Sequence, residues 1–171
     1  MTDNAAHIHR LERRLEALRL WGERVSSEGG LRNLFLSFLP NLSETMEAER
    51  STLFLYDEDA HQLWSLAAQG ATLHQFVVPI GKGLAGSVAE TKEALLVEDA
   101  YDDPRFDSSH DKASGFRTKS VIALPISEPD GTPLGVIQVL NRRDGTAFNQ
   151  DDLEFLTDMS QAIATAIVVA K

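Results

Sequence analysis

The sequence predicts an α+β domain built on one antiparallel sheet, and three observations carry that prediction. Two apolar strands, residues 120–126 and 134–141, are joined by the strong turn Pro129-Asp130-Gly131. A period-two run from Thr52 to Tyr56 is followed, across Asp57-Glu58-Asp59, by a second from Leu63 to Ala67, which reads as a hairpin. Amphipathic segments of helical period stand at the two ends of the chain, so hairpins and helices are segregated instead of alternating.

Taken in order, the first element spans residues 1–30. Ile8, Leu11, Leu15, Leu18 and Val25 recur at three-four spacing, with Gly22 where the next member belongs. That stripe suits a coiled-coil dimer seam, and equally a single helix packed on its own domain. Ser26-Ser27-Glu28-Gly29-Gly30 ends it. Leu31, Leu34, Phe35, Phe38, Leu42 and Met46 then share a second helical face, which Pro40 is expected to kink or end near Leu39. After the Thr52–Ala67 hairpin, residues 76–80 form a third strand, with Pro79 marking an edge or strand end. Residues 84–91 suit a short helix and 94–97 a fourth strand. The segment from Asp99 to Lys119 is polar and irregular, with Asp102-Asp103-Pro104-Arg105-Phe106 reading as a helix start. The last helix begins near the N-cap Asn149, with Asp151 and Asp152 in its first turn. It buries Leu153, Leu156, Met159, Ile163, Ala166 and Ile167 and reaches Lys171 with no Gly or Pro stop, as expected of a helix leading onward.

Composition excludes several functions. The 171 residues carry a net charge of −10 and no basic run, which argues against nucleic acid or an anionic membrane as partner. The absence of cysteine removes disulfides, thiolate metal sites, cysteine nucleophiles and thioether-linked chromophores. No stretch has the length of a membrane span, and a polar N-terminus points to a cytoplasmic protein. The five histidines have no zinc-like spacing; His110 alone lies where a ligand is expected. No serine sits in a G-x-S-x-G elbow. The chain therefore reads as non-catalytic.

Gly81-Lys82-Gly83-Leu84-Ala85-Gly86 has the form G-x-G-x-x-G. The helix after it is too short for a βαβ crossover, and the flanking hairpins exclude a doubly wound sheet, so a dinucleotide is not expected. Two readings stay open: amides at the helix start that hold a phosphate or carboxylate with Lys82 nearby, or a tight turn that needs glycine for its backbone angles. Further on, Ser114-Gly115-Phe116-Arg117-Thr118 places two hydroxyls around a glycine, suited either to a ligand or to capping their own loop.

The segments 78–89, 99–106 and 115–120 resemble a GAF domain, most closely the cyclic-nucleotide-binding GAF domains of phosphodiesterases and adenylyl cyclases. The resemblance covers residues 31 to the end. It implies a six-stranded antiparallel sheet, with terminal helices that dimerise on one face and a ligand pocket under short helices and loops on the other. Residues 31–158 would be the sensor domain, and 159–171 the part of the last helix that leads to an output domain. The family's Asn-Lys…Phe-x-x-x-Asp-Glu signature falls on Asn141, Arg142, Phe148 and Asp152, with Arg142 for the usual lysine and Leu153 for the glutamate. Arg142 and Asp152 would then tie strand to helix.

Residue by residue, the family's pocket falls on Thr52, Ala68, Gln69, Leu84, Ala85, Asp107, Ser114, Thr118 and Gln138. Ala68 and Gln69 stand where cGMP binders present an aromatic ring and an aspartate, and Gln138 where an acid is common. Asp107 near a bound phosphate would be unfavourable unless it points to solvent. The resemblance implies a sensor for cAMP or cGMP that signals through a helical homodimer; the alternative is a dimerisation scaffold that binds no ligand.

Overall fold

The computed structural model describes residues 30–69 and 76–170, together with 5, 8, 9 and 11–13. In chain order the elements are α1 (Leu31–Thr45), β1 (Ala48–Asp57), β2 (Gln62–Ala68), β3 (Val77–Pro79), α2 (Gly83–Thr91), β4 (Leu95–Val97), a 3-10 turn (Ala100–Asp102), α3 (Ser109–Ser114), β5 (Val121–Ser127), β6 (Pro133–Arg142) and α4 (Gln150–Ala170). The six strands form one sheet in the order β3-β2-β1-β6-β5-β4, every neighbouring pair antiparallel. This is the α+β architecture expected from the hairpins, with the first and last strands of its central part, β1 and β6, paired from Ala48↔Arg142 to Leu55↔Gly135.

Strand alternation sorts the core into two layers. Leu53, Ile122, Ile137 and Val139 face α1 and α4, which bury Phe35, Phe38, Leu42, Leu156, Met159 and Ile163 against them. Phe54, Val121, Ala123 and Val136 face the other way, toward Leu84, Ala85 and Val88 of α2. The helices therefore occupy one face and the short elements the other.

Several expectations need correction. Pro40 neither ends nor interrupts α1, which runs from Leu31 to Thr45. Pro40 is on the exposed side of the helix, where water can take the carbonyl left without an N–H partner. Asp102–Phe106 does not start a helix. Asp102 is instead the last residue of the 3-10 turn, and Asp103 accepts from the backbone N–H and the guanidinium of Arg105, closing a turn around Pro104. The segment treated as irregular contains α3, whose short polar sequence gives no apolar period to read. β1 begins at Ala48, before the period-two run. Of the N-terminal stripe, Ile8 and Leu11 are helical and about half exposed. Leu15, Leu18, Gly22 and Val25, and with them the dimer seam, lie outside the described residues.

Helix α4 starts on a reciprocal cap: Asn149 Oδ1 accepts from the Asp152 N–H at 3.0 Å, and Asp152 Oδ2 accepts from the Asn149 N–H at 2.9 Å. Phe148 is buried beneath this turn in the layer shared with α1.

Candidate functional site

Between the sheet and the short elements lies a cavity of about 640 Å³. Its floor is one face of β1, β6 and β5, carrying Arg50, Thr52, Phe54, Gln138, Leu140 and Val121, and its wall includes Phe76 to Pro79 at the edge strand. Its roof is the start of α2, Phe106, Asp107, α3 and the loop to Thr118. All the pocket positions inferred from the family resemblance border this one space: Thr52, Ala68, Gln69, Leu84, Ala85, Asp107, Ser114, Thr118 and Gln138.

The start of α2 is placed by a close backbone approach. A Cβ added at Gly86 would stand 2.5 Å from the Pro79 carbonyl oxygen, so only glycine fits there. The Gly86 carbonyl in turn accepts from the Gly81 N–H at 2.8 Å. Gly83 has a φ of +63°, a backbone state that glycine adopts without cost. The cap residue Lys82 provides no side-chain hydrogen bond to the helix, and among the described residues no group accepts from the Leu84 or Ala85 N–H. Glycine geometry and open amides thus coexist in the same turn.

The roof is latched by one buried carboxylate. Asp111, on α3, accepts from the Thr118 N–H at 2.7 Å, from Thr118 Oγ1 at 2.8 Å and from the Tyr101 hydroxyl at 2.8 Å. The hydrogen bond to Asp111, with that carboxylate's charge, holds the Tyr101 phenol above its ordinary pKa. The Arg117 guanidinium lies 4.3 Å above the same ring. A second anchor is Asn141, whose φ is +58°. It accepts from the Lys119 N–H and donates to the Arg117 carbonyl and Glu49. Together these bonds fasten the loop before β5 to the end of β6.

Side-chain chemistry differs among the pocket positions. The hydroxyls of Thr118 and Ser114 are spent within the protein, the latter on the His110 carbonyl at 2.8 Å. Gln69 borders the cavity, but its Oε1 accepts from the Ser51 N–H at 2.9 Å and from Ser43 Oγ, toward the α1 layer. Asp107 is exposed and its carboxylate accepts from the Ser109 N–H at 3.0 Å. That bond holds its pKa below the usual carboxylate value. The glutamine on β6, Gln138, pairs with Thr52 across the sheet.

Arg50, Phe76, Phe106 and Phe116 also line the cavity, although the family resemblance does not place them there. The alternation Arg50, Thr52, Phe54 along β1 was the signal that places Arg50 beside Thr52. Phe116 has no such signal, being in a loop. His110 does line the cavity, its ring 4.5 Å from that of Phe76.

Below the cavity, Arg142 is 8% exposed and Asp152 2%. Arg142 Nη1 donates to Asp152 Oδ2 at 2.9 Å and Nη2 reaches Glu47 at 3.3 Å. Nε stands 3.6 Å from Asp144, within ion-pair reach but too long for a hydrogen bond. Arg13 also donates to Glu47, at 3.0 Å.

The family profile described as GAF domain matches residues 31–167. The chain belongs to the GAF domain family. It is 32% identical over 145 residues to a dual 3',5'-cyclic-AMP and -GMP phosphodiesterase 11A of Takifugu rubripes, a match that covers 77% of this chain and 16% of that protein. It is 28% identical over 145 residues to a cGMP-specific 3',5'-cyclic phosphodiesterase of Drosophila pseudoobscura pseudoobscura, covering 76% of this chain and 13% of that protein. The GAF domain therefore spans less than a fifth of these relatives. Among solved structures, the GAF domain of a phosphoenolpyruvate-protein phosphotransferase (ptsP) from Coxiella burnetii superposes with a TM-score of 0.83 at 23% identity, covering 93% of this chain and 95% of that one. A free methionine-R-sulfoxide reductase from Neisseria meningitidis, solved with its substrate, gives 0.77 at 18% identity over 92% and 89%. At such identities the likeness is one of fold. Among the described residues no helix is long and apolar enough to cross a membrane, and no His, Asp and Glu cluster could hold a metal.

Proposed function

We propose that this GAF domain is a regulatory sensor that binds a cyclic nucleotide, cAMP or cGMP, between the sheet and the α2–α3 roof. The observation that carries the reading is the cavity of about 640 Å³ into which the start of α2 opens with the Leu84 and Ala85 amides unengaged. That volume falls in the range of roughly 300–1,000 Å³ that suits ligands of nucleotide size. Unpaired amides at a helix start attract a phosphate, and Lys82 adds positive charge there. Asp107 opposes this, but its carboxylate is exposed and turned to the Ser109 amide. Thr52 and Gln138 supply hydroxyl and amide groups for a sugar or base on the floor. Thr118 acts on the ligand by holding Asp111 and hence the roof in place. Ordering the roof over a ligand would pass to α1 and α4 through the sheet, and exposed Leu36, Val168 and Val169 on those helices suit a homodimer.

A second reading, a dimerisation scaffold without ligand, has its own support: Thr118, Ser114 and Gln69 already spend polar atoms on the protein. Thermal unfolding with and without cyclic nucleotide separates the two. At about 100 times its dissociation constant, a ligand is expected to stabilise the native state by about 2.7 kcal/mol. For a domain of this size that raises Tm by roughly 5–11 °C. No rise with millimolar cAMP or cGMP favours the scaffold.

A further inference from the structure

We propose that Arg50 sets which ring the cavity accepts, favouring a 6-oxopurine over a 6-aminopurine cyclic nucleotide. This rests on the cyclic-nucleotide reading above. Arg50 lines the cavity from β1, on the same side of the strand as Thr52 and Phe54. Its guanidinium carbon stands 3.8 Å from the centre of the Phe116 ring, a contact that fixes the group while consuming none of its five N–H donors.

Position along the strand gives the ligand its direction. Leu84 and Ala85 pack in the same apolar cluster as Phe54, whereas Arg50 is four residues further along β1. At about 3.3 Å per residue that is about 13 Å, close to the long dimension of a cyclic nucleotide. A phosphate at the α2 amides therefore leaves the purine near Arg50. A guanidinium matches the adjacent O6 and N7 acceptors of guanine with two parallel N–H groups; adenine turns an amino donor toward it at position 6.

The lining carboxylates add a second consequence. Both oxygens of Asp111 accept from Thr118 and Tyr101, and Asp107 is turned to Ser109. Position 69, which carries an amide instead of an acid, directs its oxygen to Ser43 and Ser51. None of these groups is disposed to accept from the N1–H and 2-amino group of guanine. Gln138, the remaining amide on the floor, sits beside Thr52, nearer the α2 end than Arg50, so the 2-amino group goes unread and hypoxanthine serves as well as guanine.

Titration calorimetry of the full chain with cGMP, cIMP and cAMP tests this, using the wild type, Arg50→Met and Arg50→Lys, each checked for folding by circular dichroism and melting. Wild type is expected to bind cGMP and cIMP within about threefold of each other, and both about tenfold or more tighter than cAMP. Arg50→Met is expected to bring cGMP and cIMP down to the level of cAMP while leaving cAMP nearly unchanged, with Arg50→Lys in between. Equal binding of all three, a preference for cAMP, cIMP far weaker than cGMP, or an equal loss of all three in Arg50→Met overturns the assignment and leaves the sensor reading standing. Failure of all three to bind the wild type overturns the sensor reading, and this assignment with it.

Discussion

Arg142→Met is expected to lower stability by roughly 3–5 kcal/mol, because it leaves the Asp152 carboxylate buried without its guanidinium partner. The corresponding fall in Tm is about 6–20 °C, measured by calorimetry. The size of the effect comes from burial: an exposed pair of the same geometry contributes only about 0–1 kcal/mol. Arg142 also joins three parts of the chain, since Glu47 follows α1, Asp144 follows β6 and Asp152 begins α4. Arg142→Lys keeps the charge but not the forked geometry, so a smaller loss is expected. A loss below about 1 kcal/mol for Arg142→Met would show that the pair is no tie at all.

Gly86→Ala is expected to cost about 1–3 kcal/mol and, with it, ligand-induced stabilisation. Its Cβ would meet the Pro79 backbone oxygen at 2.5 Å, so either β3 or α2 must move, and the amides of Leu84 and Ala85 with it. A paired measurement of Tm with and without nucleotide separates the two effects. An unshifted Tm would mean that the turn relaxes freely; a lowered Tm with full stabilisation by nucleotide would mean that the α2 start does not hold the ligand.

How far the sequence could be read depended on periodicity. β1, β2, β5 and β6 and the two long helices repeat apolar residues at periods of 2 or 3.6 against a buried face, and those elements were legible, whereas β3 and β4 are three-residue strands too short to show a period. Leu39 escaped notice because Pro40 beside it suggested a break, yet it is 1% exposed in an unbroken α1. Proline there sits on the solvent side, a fact that only packing decides. Helix α3 has no apolar face and takes its place from Asp111, a long-range latch to Thr118 and Tyr101 that no local pattern announces. The positions that border the cavity were legible only through family likeness. What each side chain does there was not: Gln69 turns to Ser43 and Ser51, and Arg50 finds Phe116 across the cavity. Such pairings depend on tertiary contacts between residues far apart in sequence.

The measurement closest to the central claim is a titration of isotope-labelled protein with cAMP and cGMP, following the backbone amides of Leu84 and Ala85 by nuclear magnetic resonance. A hydrogen bond to the nucleotide phosphate is expected to shift both amide protons downfield in a saturable manner, ahead of any change at α4. Amides of Leu84 and Ala85 that stay in place at millimolar concentrations of both nucleotides would contradict it.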